Sequence, residues 1–450
     1  MYDPGERAVL ASELARAMLE GTWTEEGVAE SGAGCLDTWP SWLSALAMRI
    51  LAVHRVPPTD RPGELEREID TFLTERKAPA AVYEPPRIIR RAREPEHTCD
   101  RRWPVAEIDS VGDLAERLEL SYGQLAWLAD VRSLERTVTE TKLRNYRYRA
   151  LPRASGLPRV LEAPKARLKE IQRWVLHGIL DHVPSHGAAH GFTRGRSVVS
   201  HAELHTGRQA VLRLDLTDFF ASITAARVYG IFRTAGYPPA VAHILTGLST
   251  NTVPLQVWRD ISTPSDPRPG QPRFWLGRQL ATPHLPQGAP TSPALANLAA
   301  FSLDRRLAGL ARALGLRYSR YADDLAFSGD GWLRGRDGEL AESVAEIARE
   351  EGFSLNRRKS ALLTAGGRQT ICGVVVNAHT NVARAEYDRL KAILHNIARN
   401  GAASENWAGI ANLREHLRGR IAWIDSLNPT RGEKLRQRFA EIDWDSPHED

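Results

Sequence analysis

Hydrophobic and polar positions alternate most regularly in residues 210 to 217, AVLRLDLT. Successive side chains of a β-strand point to opposite faces, so this alternation predicts a strand. Its leucines form the predicted core face, whereas the opposite face carries Val211, Arg213 and Asp215. The pattern therefore places an acidic side chain beside a buried strand.

Helical spacing of apolar residues predicts helices over much of the rest of the chain. The clearest runs are residues 7 to 20, about 64 to 76, parts of 105 to 180, 384 to 399, 409 to 425 and 430 to 441. RVLEAP reads as a strand of a short hairpin whose turn contains ASG. After the loop LPQGAPT, Ser292 is a candidate N-cap with Pro293 in the first helical position, which predicts one long helix with a stripe of buried leucines.

A stretch rich in proline and arginine, residues 77 to 104, predicts a linker. We therefore divide the chain into an α-helical N-terminal extension with its linker (1 to 104), a central region (105 to 380) and a helical C-terminal region (381 to 450). The extension has three open roles: binding RNA, docking a partner or covering the central region.

Composition narrows the class of protein only moderately. The chain has 450 residues with a net charge of +5, and its pI of about 9.2 permits an anionic partner. The three cysteines contain no CxxC pair, which argues against a disulfide framework or a zinc cluster. No window approaches ~18 consecutive apolar residues, so we expect a cytoplasmic protein without a membrane partner.

Two adjacent acids, Asp323 and Asp324, stand in the strand-like run RYADDLAFSG. Carboxylates this close repel each other, and a divalent cation is one way to neutralise them. With Asp215 on a neighbouring strand, three carboxylates can hold two metals about 4 Å apart, the arrangement that serves phosphoryl displacement. The alternative is that the pair simply begins a turn, since Asp is a common turn residue.

The order of motifs around this pair resembles the reverse transcriptase family, whose signature is YxDD. The resemblance covers roughly residues 105 to 442. In order, it rests on RVLEAPKARLKEIQ, LDLTDFF, LPQGAPTSPALANL, RYADDLAFSG, EEGFSLNRRKS and QTICGVVVN. It implies an α+β right-hand polymerase, with fingers and palm in 105 to 380 and a helical thumb in 381 to 450. Such an enzyme copies RNA into DNA from deoxynucleoside triphosphates with Mg²⁺, for which Mn²⁺ is a possible substitute.

The resemblance also implies a role for each matching residue. Asp215, Asp323 and Asp324 correspond to the catalytic metal-binding triad. Phe220 corresponds to the steric gate against a ribose 2′-OH, with a plain core aromatic as the alternative. The remaining residues implied to bind the nucleotide are Arg159, Asp218, Phe219, Gln287, Gly288 and Lys359. Lys359 is implied to donate a proton to pyrophosphate, and the alternative is that it is an ordinary surface lysine. Arg159 could instead be a solvated cation, and Gln287 could be a loop amide without a role in binding.

Within the family the chain looks most like the retron type. The retron element NAxxH falls at HAELH, where His201 replaces the asparagine and His205 matches; the VTG element falls at Ile371-Cys372-Gly373, where only the glycine matches. His205 is either an RNA contact or a structural histidine. LRGRIAWIDSLNPTRGEKL resembles the retron thumb and offers Arg418 and Arg420 as RNA contacts, with a solvated basic face as the alternative.

The retron resemblance implies a structured non-coding RNA as template and primer, a branched RNA–DNA product called msDNA, and anti-phage defence with a separate effector protein. A second hypothesis keeps the chemistry but assigns a non-retron defence enzyme with another template or primer. A third is a catalytically silent RNA-binding scaffold, although a scaffold has no need of three mutually repelling acids.

Overall fold

The chain forms two compact units. The first comprises Met1–Pro184 and Phe220–Ala299, and the second comprises Ser185–Phe219 and Ala300–Asp450. The computed structural model describes residues 4–58, 62–75, 86–89, 101–151, 157–261, 272–406 and 409–444. The three-part division drawn from the sequence stays a prediction.

Helices dominate the described residues. In chain order they are α1 (Pro4–Glu20), α2 (Glu25–Ala33), α3 (Leu43–Val53), α4 (Pro62–Glu75), α5 (Val111–Arg117), α6 (Tyr122–Leu128), α7 (Ala166–Gly178), α8 (Val198–Glu203), α9 (Ala225–Thr234), α10 (Pro239–Ser249), α11 (Leu255–Ile261), α12 (Pro272–Leu280), α13 (Ser292–Ala299), α14 (Phe301–Ala313), α15 (Asp337–Glu350), α16 (Arg384–Asn400), α17 (Leu413–Leu427) and α18 (Pro429–Ala440). Among them, none combines the length and apolarity that crossing a bilayer requires.

The strands form three antiparallel sheets. They are β1 (Tyr146–Leu151), β2 (Arg159–Pro164), β3 (Ala210–Asp215), β4 (Arg317–Tyr321), β5 (Asp324–Gly329), β6 (Ala361–Thr364), β7 (Thr370–Ile371) and β8 (Val374–Val375). β1 pairs with β2, β7 pairs with β8, and the central sheet has the order β4-β5-β3-β6. This mixture of helices and antiparallel sheets agrees with the predicted α+β class.

In the first unit, α1 to α4 bury their apolar faces in one core that includes Leu14, Met18, Leu46, Ile50 and Leu65. The Thr24 hydroxyl caps α2 by accepting a hydrogen bond from the Gly27 amide at 3.1 Å. Farther along, β1 and β2 form the predicted hairpin; its predicted ASG turn, residues 154–156, lies outside the described residues.

In the second unit, the prediction of one core face for β3 is too simple. Val211, assigned from the sequence to the opposite face, is fully buried and packs in a core with Leu390, Leu394 and Leu417. The reason is that α16 and α17 contribute their apolar stripes to that core, and this covers the second face as well. Asp215 ends the strand and is only 6% exposed.

The predicted long helix after LPQGAPT is two helices, α13 and α14, with Ala300 between them. Ser292 does not act as its N-cap: it is the first residue of α13, and its hydroxyl donates to the Pro286 carbonyl at 2.7 Å. The hydroxyl therefore holds the preceding loop and leaves the amides of the first helical turn uncapped by this side chain.

Candidate active site

Three carboxylates lie at one end of the central sheet of the second unit. Asp215 is the last residue of β3 and is the cross-strand partner of Asp324, the first residue of β5. Asp323 precedes it in the turn after β4, and its carbonyl accepts a hydrogen bond from the Leu216 amide at 2.9 Å. The antiparallel register thus brings together acids that are more than a hundred positions apart in the sequence.

The turn that carries Asp323 has an unusual backbone. Ala322 has a φ of 55°, in the left-handed region that residues with a Cβ rarely adopt. Gly191 lies against it, and a Cβ added at Gly191 would come within 2.7 Å of the Ala322 amide nitrogen. Glycine at position 191 therefore allows the close backbone approach to the turn that carries Asp323, while Ala322 holds a strained backbone conformation.

Burial and like charge dominate the electrostatics of these acids. Burial raises the pKa of Asp323, and the charges of Asp324 and Asp215 raise it further. Burial also raises the pKa of Asp324, although a hydrogen bond from the Cys372 thiol, 3.5 Å from Asp324 Oδ2, acts against that shift. The site therefore disfavours three uncompensated negative charges.

Lys359 supplies one compensating charge, since its Nζ lies 2.8 Å from Asp215 Oδ2. The segment before Lys359 is anchored to the same strand, because the Asn356 amide donates to the Asp215 carbonyl at 2.7 Å. The lysine side chain is 60% exposed, whereas that of Asp215 is only 8% exposed. The cation therefore reaches a buried acid from the solvent side.

The donor set fits a hard divalent cation, because it consists of carboxylate oxygens whose mutual repulsion a metal would relieve. Among the described residues, no group of three or more His, Cys, Asp or Glu side chains is already arranged to hold a metal ion. Asp215 Oδ2 engages Lys359 and Asp324 Oδ2 engages Cys372, so a cation that bound through these two oxygens would compete with those partners.

Arg320 supports the site, and sequence analysis missed it. It is fully buried with Asp304, to which its Nη2 and Nε donate at 2.6 and 2.8 Å. Its Nη1 donates to the Ala322 carbonyl at 3.0 Å, and its guanidinium lies 5.6 Å from the centre of the Phe219 ring. A single arginine thus braces both the acidic turn and the segment after β3. The one available signal was an acid within the leucine stripe of α14.

Phe219 and Asp218, predicted to line the triphosphate site, follow β3 in the second unit. Phe219 is buried and stacks on Phe353 at 5.6 Å between ring centres. Asp218 is half-buried with a φ of 45°. The chain therefore bends sharply right after Asp215.

Four of the predicted nucleotide contacts lie in the first unit: Arg159, Phe220, Gln287 and Gly288. Arg159 begins β2, and its buried Nε has no hydrogen-bond partner within the described part of the chain. Phe220 is half-buried. The Gln287 carbonyl accepts from the Glu162 amide at 2.9 Å, and Gly288 has a φ of 131°. The structure thus joins Gln287 and Gly288 to the strand that Arg159 begins.

His205 has no exposed surface. Its Nδ1 lies 2.6 Å from Ser328 Oγ on β5, and its Nε2 lies 2.7 Å from Ser319 Oγ on β4. The same Ser319 hydroxyl lies 2.7 Å from His201 Nδ1. These contacts favour the structural alternative for His205. On α17, by contrast, Arg418 is exposed and Arg420 is half-buried.

Comparison with known proteins identifies a family and several relatives of this chain. Residues 151–387 match the family model described as reverse transcriptase (RNA-dependent DNA polymerase). The retron Mx65 reverse transcriptase of Myxococcus xanthus is 40% identical over 331 residues, covering 72% of this chain and 70% of that protein. The retron Mx162 reverse transcriptase of the same organism is 34% identical, covering 75% of this chain and 68% of that protein.

The retron Ec86 reverse transcriptase of Escherichia coli is 30% identical, covering 62% of this chain and 74% of that protein. A solved structure of a foamy viral protease-reverse transcriptase in complex with double-stranded DNA aligns with a TM-score of 0.29 and 13% identity, covering 89% of this chain and 60% of that one.

The family model and the identities to the retron enzymes define an enzyme that polymerises DNA on an RNA template. The chain belongs to the reverse transcriptase family and is a bacterial reverse transcriptase of the retron type. Membership implies a nucleic-acid template, deoxynucleoside triphosphate substrates and a requirement for divalent metal ions.

Proposed function

We propose that this reverse transcriptase copies a structured non-coding RNA encoded near its own gene and produces msDNA, in which DNA is branched from a 2′-OH of that RNA. Identity to retron enzymes over most of the chain is the observation that carries this proposal. The product then acts with a separate effector protein in defence against phage.

Asp215, Asp323 and Asp324 are the proposed catalytic metal ligands. Their support is their common position at one end of the sheet together with the raised pKa of Asp323 and of Asp324. Two bound Mg²⁺ ions would stabilise the attacking 3′ oxygen and the leaving pyrophosphate, and Mn²⁺ would substitute. Lys359 would leave Asp215 as the metal binds and donate a proton to pyrophosphate.

The remaining roles concern the nucleotide and the RNA. Arg159 would contact the triphosphate, Gln287 and Gly288 would border the sugar and the template base, and Phe220 would exclude ribonucleotides. Asp218 and Phe219 would line the triphosphate site, and Arg418 and Arg420 would contact the RNA backbone. In this proposal residues 105–380 are fingers and palm, 381–450 are the thumb, and 1–104 are an extension.

A second candidate is a non-retron defence reverse transcriptase with another template or primer. The observation that favours it is that His201, Ile371 and Cys372 depart from the retron elements. The structure places the His201 side chain in the interior beside Ser319, so the first of these departures alters an internal contact.

The test is to express the protein with its native flanking DNA and to sequence the nucleic acid that copurifies, after separate RNase and DNase treatments. A short, discrete DNA joined to RNA is expected, and it should be absent from the Asp323→Asn, Asp324→Asn double variant. Heterogeneous DNA, or none, from an enzyme that still extends a primer on RNA in vitro would establish the second candidate instead.

A further inference from the structure

A buried charged pair lies in the first unit, outside the acidic site. His284 Nε2 is 3.0 Å from Glu162 Oε1, and the side chains are 1% and 2% exposed. Asn251 Nδ2 donates to Glu162 Oε2 at 2.7 Å and lies 3.1 Å from the Tyr148 hydroxyl. Every polar atom of the pair therefore has a partner, as a buried charged group requires.

The geometry assigns a positive charge to His284. Its Nδ1 lies 2.7 Å from the Thr282 carbonyl oxygen, while its Nε2 faces the Glu162 carboxylate. A carbonyl oxygen only accepts hydrogen bonds, so Nδ1 carries a proton, and pairing with the carboxylate form of Glu162 requires a second proton on Nε2. Burial alone would lower the pKa of His284, but the charge of Glu162 and these hydrogen bonds raise it overall.

The pair stands where three segments of the first unit meet. His284 and Asn251 exchange backbone hydrogen bonds at 2.9 and 3.0 Å, and the Leu285 amide donates to the Ile223 carbonyl at 3.1 Å. The Ile223 amide in turn donates to the Phe220 carbonyl at 3.1 Å. The residue after the pair's histidine is thus linked to the turn that begins with Phe220.

The same pair borders the loop that carries Gln287. The Glu162 amide donates to the Gln287 carbonyl at 2.9 Å, and a Cβ added at Gly288 would lie 3.1 Å from the Glu162 carbonyl oxygen. Glu162 is also in the strand that Arg159 begins. Strand, turn and loop, each with a proposed nucleotide contact, are therefore joined around one ion pair.

We propose that Glu162 and His284 are positioning residues that hold the Gln287–Gly288 loop against β2 and so set the affinity of the enzyme for the incoming deoxynucleotide. This inference rests on the proposed nucleotide role of that loop. Neither side chain is exposed, so both act through the loop and do not touch the substrate themselves.

The two charges should act as a unit. Glu162→Gln removes the counter-charge of His284, so burial favours the neutral ring and the second ring proton is lost. His284→Gln leaves the Glu162 carboxylate buried without a counter-charge. Either change should release the loop from its fixed position. Because misplacement of a positioning group costs substrate affinity or rate, we expect each variant to raise the KM for deoxynucleotide about tenfold.

The experiment measures single-nucleotide incorporation on a preformed RNA–DNA primer-template, with kcat and KM determined for Glu162→Gln, His284→Gln and the double variant. The matched control is Gln172→Met, which removes a fully buried amide that bonds Tyr146 and the Leu248 carbonyl in the same unit. We expect both single variants to raise KM with kcat changed less, the double variant to be no worse than either, and the control to lower thermal stability alone.

A wild-type KM in either folded single variant overturns the inference, as does a KM effect equal to that of Gln172→Met. If a single variant fails to fold, the double variant decides: a raised KM supports the positioning role, and a wild-type KM overturns it. Gln287→Ala distinguishes failure of the loop's proposed nucleotide role from failure of the positioning role of Glu162 and His284. If it leaves KM unchanged, the proposed nucleotide role of the loop fails; if it raises KM while the pair variants do not, the positioning role alone fails.

Discussion

Asp215 and Asp324 are direct cross-strand partners in antiparallel β3 and β5. Like charges directly opposite each other in a sheet are destabilising, and Asp323 adds a third carboxyl group at the same end. Three carboxyl groups at one end of the sheet therefore lower the stability of the folded protein. A bound cation would recover it, and this links the acids to the proposed polymerase chemistry.

Replacing Asp323 and Asp324 by Asn should therefore abolish DNA synthesis without lowering stability. The substitution preserves size while it removes the repulsion, so the metal-free double variant should melt at the same temperature as the wild type or higher. Mg²⁺ should raise the melting temperature of the wild type, because a ligand that binds only the folded state stabilises it, and should not raise that of the variant. Polymerisation by the variant at the wild-type rate would contradict the assignment.

Lys359→Met tests two consequences of the 2.8 Å contact between Lys359 and Asp215. Loss of a general acid should lower kcat on the order of 10²-fold. Loss of a cation that competes for the same carboxylate should also lower the Mg²⁺ concentration needed for half-maximal rate. Arg358→Met, at the neighbouring exposed position, is the control and should change neither quantity. An unchanged kcat for Lys359→Met would leave this residue as a charge partner of Asp215 only.

Sequence analysis reached the acids because alternation, motif order and spacing are local properties. It missed the side chains that contact the acids and their turn. The Arg320–Asp304 ion pair and the Cys372–Asp324 contact each join residues on different elements, and the sequence pattern of one element does not show its partner on another. Asp304 lies in a helix whose other features follow the usual amphipathic pattern. The break at Ala300 was invisible because alanine is a strong helix former, so its residue type does not mark the end of a helix.

Phe220 and Phe219 are adjacent aromatic residues, and we expect their substitution to affect different properties: sugar discrimination for Phe220 and stability for Phe219. Phe220 is half-buried, and Phe220→Ala should raise kcat/KM for ribonucleotides relative to deoxynucleotides at least tenfold, as removal of a steric contact allows. Phe219→Ala removes a buried ring from its contact with Phe353 and should cost about 3–5 kcal/mol of stability, with the discrimination unchanged. Equal sugar discrimination in the wild type and Phe220→Ala would identify Phe220 as a core aromatic.

His205 should matter for stability and not for RNA affinity. His205→Ala leaves the buried hydroxyls of Ser319 and Ser328 without this partner, a loss of about 1–3 kcal/mol. Arg418→Gln with Arg420→Gln should instead weaken RNA binding and flatten its dependence on salt, since fewer phosphate contacts release fewer counterions. Filter binding at several salt concentrations measures the RNA affinity of each variant. Weaker RNA binding by folded His205→Ala would support the hypothesis that His205 contacts RNA directly.

The same histidine should make stability depend on pH in a predictable direction. Burial, more than the nearby charges, lowers the pKa of His205 from 6.5 to about 3. Between those values the unfolded chain binds the proton and the folded chain does not, so stability is highest above pH 6.5 and falls as the pH drops. One such group contributes a slope approaching about 1.4 kcal/mol per pH unit.

Urea unfolding of the wild type and His205→Asn between pH 4 and pH 8 measures that slope, with the range set by the two pKa values. Asparagine has no titrating proton, so the variant should be less stable at high pH but should lose less stability as the pH falls. His201, whose pKa burial lowers to about 3, should still contribute its own dependence in the variant. Parallel curves for the two proteins would show that His205 takes up its proton equally in both states, and would contradict its place in the buried Ser319–Ser328 contact.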